Sequence, residues 1–202
     1  MCQAHIPDAC FRQPDRLRAM GPVLAQRCQN LPMDATTFLT QYVPGYANLE
    51  HHERDAISHF TLLWSAMEGR VLQTNATPSS LVEAAKEMAR RGQIDPAAYQ
   101  RSLHHFRERY FQGGAFTYHF EQLLFRPRDR RALVEAVLSG NDNNSASVVA
   151  ALLLIVYRLR NNLFHGAKWA YGIKDQQANF MFGAEVLMHV LGVRRALQSS
   201  GR

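Results

Sequence analysis

The chain has 202 residues and a mass of 23.0 kDa, enough for one sizeable domain and too short for two independent catalytic ones. Hydrophobic residues make up 47% and charged residues 20%, with 12 Gly and 8 Pro, a balance that supports a packed core and excludes collagen-like, disordered and coiled-coil chains. Lys and Arg number 23 against 17 Asp and Glu, for a formal charge of +6; this suits a polyanionic partner such as nucleic acid, and equally describes a basic protein without one.

The opening residues 1–8 carry neither the basic nor the apolar region of a secretory signal, so the expected location is cytoplasmic. Cys2, Cys10 and Cys28 are an odd number without a CxxC spacing, which gives no disulfide framework and no zinc ribbon. Pro7, Pro14, Gly21, Pro22 and Pro32 break the start of the chain into short pieces. Residues 1–48 are therefore expected to form an irregular arm with short helices packed on a bundle, and residues 49–202 the helical domain.

From residue 49 to 72, Ile57, Phe60, Leu63, Trp64, Met67 and Val71 recur at threes and fours, the period of an amphipathic helix. Ser79 or Ser80 with Glu83 predicts the start of a second helix, running to about Arg91. Asp95 followed by Pro96 opens a third, which reaches Tyr110 and stops before Gly113 and Gly114. Residues 116–125 form an aromatic segment, and residues 127–138 a further helix. Residues 140–144, Gly-Asn-Asp-Asn-Asn, are the clearest loop in the chain. Asn144 or Ser145 then caps a helix over 146–164 that is apolar nearly all round and so belongs at the centre of a bundle. Its longest apolar run, 148–157, covers half a bilayer, and no membrane span is expected. A last helix runs from Gln176 to about Gln198. No run of alternating β-branched residues interrupts this series, and the predicted fold is an all-α bundle.

A dense polar cluster closes the most apolar helix: Arg158, Arg160, Asn161, Asn162, His165 and Lys168. Each has a plain explanation taken singly, since cations and a histidine complement a helix C-terminus and Gly166 can supply the left-handed residue after it. Their order is more specific. Arg160-Asn161-Asn162-Leu163-Phe164-His165 resembles the Arg-x4-6-His motif of the HEPN superfamily, in its Arg-Asn-x3-His form, and the following Gly166-Ala167-Lys168 is similar to what often trails it. Residues 60–68, with Trp64 leading to Glu68, resemble the early HEPN helix whose acidic residue faces the site. Ala167 stands where HEPN toxins regulated by nucleotidyl transfer have a tyrosine, so adenylylation there is not expected.

The resemblance implies a HEPN-like helical bundle and a metal-independent endoribonuclease that leaves 2',3'-cyclic phosphate and 5'-hydroxyl ends, of the kind found in toxin and antiviral-defence systems. It implies no cofactor and no metal. Cleavage of RNA needs a base for the 2'-hydroxyl, an acid for the leaving 5'-oxygen and positive charge at the phosphate. His165 suits either proton role at neutral pH, Arg160 the phosphate, and Asn161 the orientation of His165 or a phosphate oxygen. Glu68 and Asn162 would support them, with Glu68 beside Arg160; the plainer account of Glu68 is a surface carboxylate paired with Arg70 or Arg54. Arg158 and Lys168 are candidate contacts to the RNA backbone. One motif supplies one histidine, and the resemblance answers with a homodimer whose two motifs share a cleft. RNA is the expected partner, with an antitoxin or activating protein as a further one. The alternative is a catalytically silent module of the same fold that binds RNA, a nucleotide or a protein.

Other constellations are weaker. His52, Asp55 and His59 share a helix face, but no further ligand completes a metal site. Phe106, Tyr110, Phe111, Phe116, Tyr118 and Phe120 could stack on bases, although such spacing usually marks a core. Neither a P-loop nor a dinucleotide fingerprint occurs.

Overall fold

The computed structural model describes residues 34–165 and 175–199. The three cysteines, the proline-broken start of the chain, Gly166, Ala167 and Lys168 lie outside the described residues. The fold is all-α, with eight α-helices and one minimal hairpin among the described residues. The chain divides into two units, Met1–Val43 and Pro44–Arg202, a boundary a few residues before the expected one. In the first, helix α1 (Ala35–Tyr42) is capped by Asp34, whose carboxylate accepts from the Thr37 N–H. The rings of Phe38 and Tyr42 meet one turn apart at 4.6 Å.

The second unit begins with a 3-10 turn (Tyr46–Asn48) and helix α2 (His51–Val71). A reciprocal capping box between Glu50 and Glu53 starts α2. Ala56, Phe60, Trp64 and Met67 form its buried stripe, as the period requires. Helix α3 (Pro78–Arg90) is capped by Thr77, with Ser80 returning the bond to the Thr77 N–H; Ser80 thus serves inside the first turn. Pro96–Tyr99 is a 3-10 turn that leads into α4 (Gln100–Tyr110).

Two predicted elements differ. Gly113 and Gly114 end the helical run by making the turn of a hairpin, β1 (Phe111–Gln112) with β2 (Ala115–Phe116), in which Phe111 faces Phe116. Both glycines have positive φ, as a two-residue primed turn demands. After the four-residue α5 (Tyr118–Glu121), the helix expected from Pro127 begins only at Arg131, as α6 (Arg131–Leu138). Residues 122–130 are a loop with Leu124 and Arg130 in the left-handed region (φ 54° and 58°).

Helix α7 (Ser145–Phe164) is capped by Asn144, which accepts from the Ala146 and Ser147 N–H groups. It is buried almost continuously from Val149 to Leu163 and packs against α3, α6 and the last helix, α8 (Gln177–Ser199). Among the described residues α7 alone has the length and composition to cross a membrane, and 78% of that window is buried inside the protein. Helix α8 lies along α2. Gly183 permits this approach, since a Cβ there would stand 2.9 Å from Cε2 of Phe60. The aromatic segment is core: Phe106, Tyr110 and Phe120 are buried, with the Phe116 and Phe120 rings stacked at 4.4 Å. Tyr118 is the exception, at 74% exposure.

Candidate active site

The C-terminal turns of α7 meet two neighbours, the C-terminal third of α2 and the loop 122–130. Toward α2, Arg160 is partly buried, with its guanidinium Nη1 donating to Oδ1 of Asn161 (3.0 Å) and Nη2 standing 3.8 Å from Oε2 of Glu68. The same Glu68 oxygen accepts the indole N–H of Trp64 at 2.7 Å. Trp64 and Glu68 are four apart on α2, so one carboxylate reaches both the indole below it and the cation across the helix interface. The guanidinium carbon lies 5.7 Å from the Trp64 ring centre and 4.9 Å from that of Phe164, within cation–π range of both. Trp64 is itself fixed by burial and by the Tyr157 ring at 6.0 Å.

His165 is the C-cap of α7, its backbone N–H bonded to the Asn161 carbonyl, and its side chain is exposed. Phe164 beside it is 56% exposed. The end of α7 therefore presents a histidine and an aromatic ring to solvent, with an arginine held behind them. Arg160 offers a positive charge there and His165, about a turn further on, a proton-transfer group, the two kinds of group that chemistry at an anion needs.

The structure brings Arg160, Asn161 and Glu68 into contact and separates the remainder. Asn161 is buried and uses its carbonyl oxygen on Arg160, so it orients the arginine; of its two expected roles, orienting His165 or holding a phosphate oxygen, the first finds no hydrogen bond between the side chains. Glu68 reaches neither Arg70 nor Arg54 in an ion pair, and Arg54 instead donates to the Tyr46 carbonyl.

Asn162 and Arg158 face the opposite side. Asn162 is buried and donates to the carbonyls of Gln122 (3.0 Å) and Leu123 (3.2 Å). Arg158 is 3% exposed; its Nε donates to Leu123 O at 2.9 Å and its Nη1 stands 3.0 Å from Oδ2 of Asp129. Burial pushes the Arg158 guanidinium below its usual pKa, against the pull of the Asp129 carboxylate. The expectation that Arg158 contacts the RNA backbone is therefore corrected: a side chain enclosed by protein and paired with a buried carboxylate has no face for a phosphate. Asn162 likewise ties down a loop and does not face the arginine or the histidine.

Asp129 was missed by sequence reasoning. It lies in the run Pro127-Arg128-Asp129-Arg130-Arg131, where a single carboxylate among cations looks solvated. It also explains the late start of α6: Asp129 Oδ2 accepts the Arg126 N–H at 2.7 Å and is 4% exposed, so the chain turns inward there before a helix can form. The His52, Asp55, His59 face is dispersed, with His51 on Asp55 and His52 on Glu50. No group of three His, Cys, Asp or Glu suited to a metal ion occurs among the described residues. No family model, curated protein or solved structure matches the chain.

Proposed function

We propose that the protein is a metal-independent endoribonuclease of HEPN type, in which Arg160 binds the scissile phosphate and His165 moves protons. The observation that carries this reading is the arrangement at the end of α7, where Arg160 is held by Asn161, Glu68 and two aromatic rings one turn behind an exposed His165. A held guanidinium loses little freedom on binding a phosphate, and its planar fork suits the charge that grows on the oxygens as the 2'-hydroxyl attacks. His165 takes the 2'-hydroxyl proton or protonates the departing 5'-oxygen. The products are a 2',3'-cyclic phosphate and a 5'-hydroxyl. A second copy of the chain supplies the other proton-transfer group, so the working form in this proposal is a homodimer with a composite site, held in check by a protein partner.

A binding module of the same fold is the second reading. It is favoured by the sharing of Arg160 with Glu68, which offsets part of the charge a transition state would use. The test is incubation of the purified protein with mixed RNA in EDTA beside the His165→Ala and Arg160→Ala variants, with analysis of product ends. Cleavage that persists in EDTA, leaves cyclic phosphates and disappears in both variants is expected. RNA binding without cleavage, unchanged by His165→Ala, selects the binding module.

A further inference from the structure

The loop between α5 and α6 gathers five cations, and they divide sharply by role. Arg131 is occupied: it pairs with Glu121 and Glu135 and lies over the Phe120 ring at 5.0 Å. Arg158, reaching in from α7, is occupied by Asp129. Arg126, Arg128 and Arg130 are exposed, and among the described residues none of the three stands in a close ion pair, although the Arg130 charge reaches Glu83 on α3 across a shared cavity.

The backbone that presents them is unusually constrained for a surface loop. Asp129 N–H donates to Arg126 O while Arg126 N–H donates to the Asp129 carboxylate, closing a tight turn around Pro127. That carboxylate is pinned by Arg158, and the carbonyls of Gln122 and Leu123 are pinned by Arg158 and Asn162. Leu124 and Arg130 hold left-handed φ values at either end, a conformation that side chains larger than Gly adopt at a cost and that persists when the surroundings enforce it. The side chains that anchor the loop come from α7, the helix that ends in Arg160 and His165. A rigid mount for three exposed arginines, fixed to the helix of the candidate site, is what a phosphate-binding surface needs.

We propose that Arg126, Arg128 and Arg130 form a platform for the sugar-phosphate backbone of single-stranded RNA, set beside the end of α7. The choice of RNA rests on the function proposed above; the platform itself rests on the loop. Of the two residues expected to contact the RNA backbone, Lys168 lies outside the described residues, and Arg158 anchors the loop that carries the platform.

The probe is a labelled single-stranded RNA bound to His165→Ala protein, so that binding is read without cleavage, over a series of KCl concentrations. Two triple variants are compared, each removing three positive charges: Arg126→Gln, Arg128→Gln, Arg130→Gln in the loop, and Arg90→Gln, Arg91→Gln, Arg101→Gln elsewhere on the surface. The loop triple is expected to weaken binding at least tenfold and to lower the salt slope by about 2, at ~0.7 for each phosphate no longer neutralised. The control triple is expected to leave the slope nearly unchanged. The single variant Arg128→Gln, whose side chain takes no part in the turn, is expected to lower the slope by about 0.7, so the test survives misfolding of the triple. Equal losses in the two triples, or no RNA binding by the His165→Ala protein, overturn the platform. So does loss of binding to phosphatidylserine vesicles in the loop triple with RNA binding intact. Absence of cleavage by wild-type protein, with the slope difference present, removes the nuclease and leaves the platform.

Discussion

Arg158 and Arg160 stand two residues apart on α7 and have opposite fates. Arg158 is enclosed at 3% exposure, and its nearest carboxylate, Asp129, is enclosed with it. Arg160 keeps 30% of its side chain exposed, and its carboxylate, Glu68, is similarly open and stands 3.8 Å away. A two-residue step turns a helical side chain through more than half a revolution, so one arginine meets the loop 122–130 and the other meets α2. The first pair is a structural latch, because an uncompensated charge at such a site is costly. The second is loose enough to exchange partners, because a part-exposed pair at that distance is weak and a phosphate can displace a shared carboxylate. Function, in the reading proposed here, goes to the arginine that the fold needs less.

The sharpest way to break this contrast is to remove Asp129. Asp129→Ala leaves the Arg158 charge buried and unpaired and frees the Arg126 N–H, and it is expected to cost about 3–5 kcal/mol. In thermal unfolding this is a fall in Tm of roughly 10 °C. The double replacement Asp129→Leu with Arg158→Met, which removes both charges, is expected to recover most of that loss. A drop of only a degree or two in Asp129→Ala would mean that water reaches Arg158 and that no latch exists.

A third polar contact tests whether burial gives such groups a pH dependence. His105 on α4 is partly buried, stacked on Phe182 at 4.3 Å, with Nε2 bonded to Oδ1 of Asn179 on α8 at 2.9 Å. Burial lowers its pKa by more than the Asn179 bond raises it, and Arg109 and His104 lower it further while Glu108 opposes them. Its folded pKa thus lies below its unfolded value of about 6.5. The unfolded chain binds more protons in the window below that value, so the stability His105 contributes is present above about pH 6.5 and is lost as the pH falls toward its folded pKa. His105→Gln is expected to flatten the decline of Tm between about pH 7 and pH 5. An unchanged decline would place the acid sensitivity elsewhere.

These contacts also mark how far the amino-acid order could be read. The period of α2 and the cap at Asn144 or Ser145 are local patterns, and the structure has both, with Asn144 as the cap; the Trp64–Glu68 bond is local too, but the sequence reading did not draw it. Strands of two residues are too short to alternate, so Gly113-Gly114 looked like a helix stop and not a hairpin turn. The misplacement of Arg158 has a different cause. An amphipathic helix announces which of its faces are wet, but α7 is apolar nearly all round, and nothing in its own pattern separates the side toward Asp129 from the side toward Glu68. Asp129 is 29 residues away in sequence, and a partner at that separation leaves no local signal. Arg160, two residues beyond Arg158, could be assigned to the candidate site only through the resemblance of its motif.

Glu68 gives the smallest effect and the finest distinction. At 3.8 Å its contact with Arg160 is too long for a hydrogen bond, whereas its bond to the Trp64 indole at 2.7 Å is a good one. Its hold on the arginine therefore runs partly through the position of the Trp64 ring, over which the guanidinium lies. Gln at this position keeps an acceptor for the indole and removes only the charge. Glu68→Gln is expected to change stability by about 0–1 kcal/mol and, in the function proposed above, to tighten RNA binding about two- to threefold in the His165→Ala protein, since a negative charge beside the proposed phosphate site is gone. Glu68→Ala strands a buried indole N–H at a cost of about 1–3 kcal/mol. If Gln were as damaging as Ala, the charge itself would be holding Arg160, and the loose pair would belong with the latch on the other side of the helix.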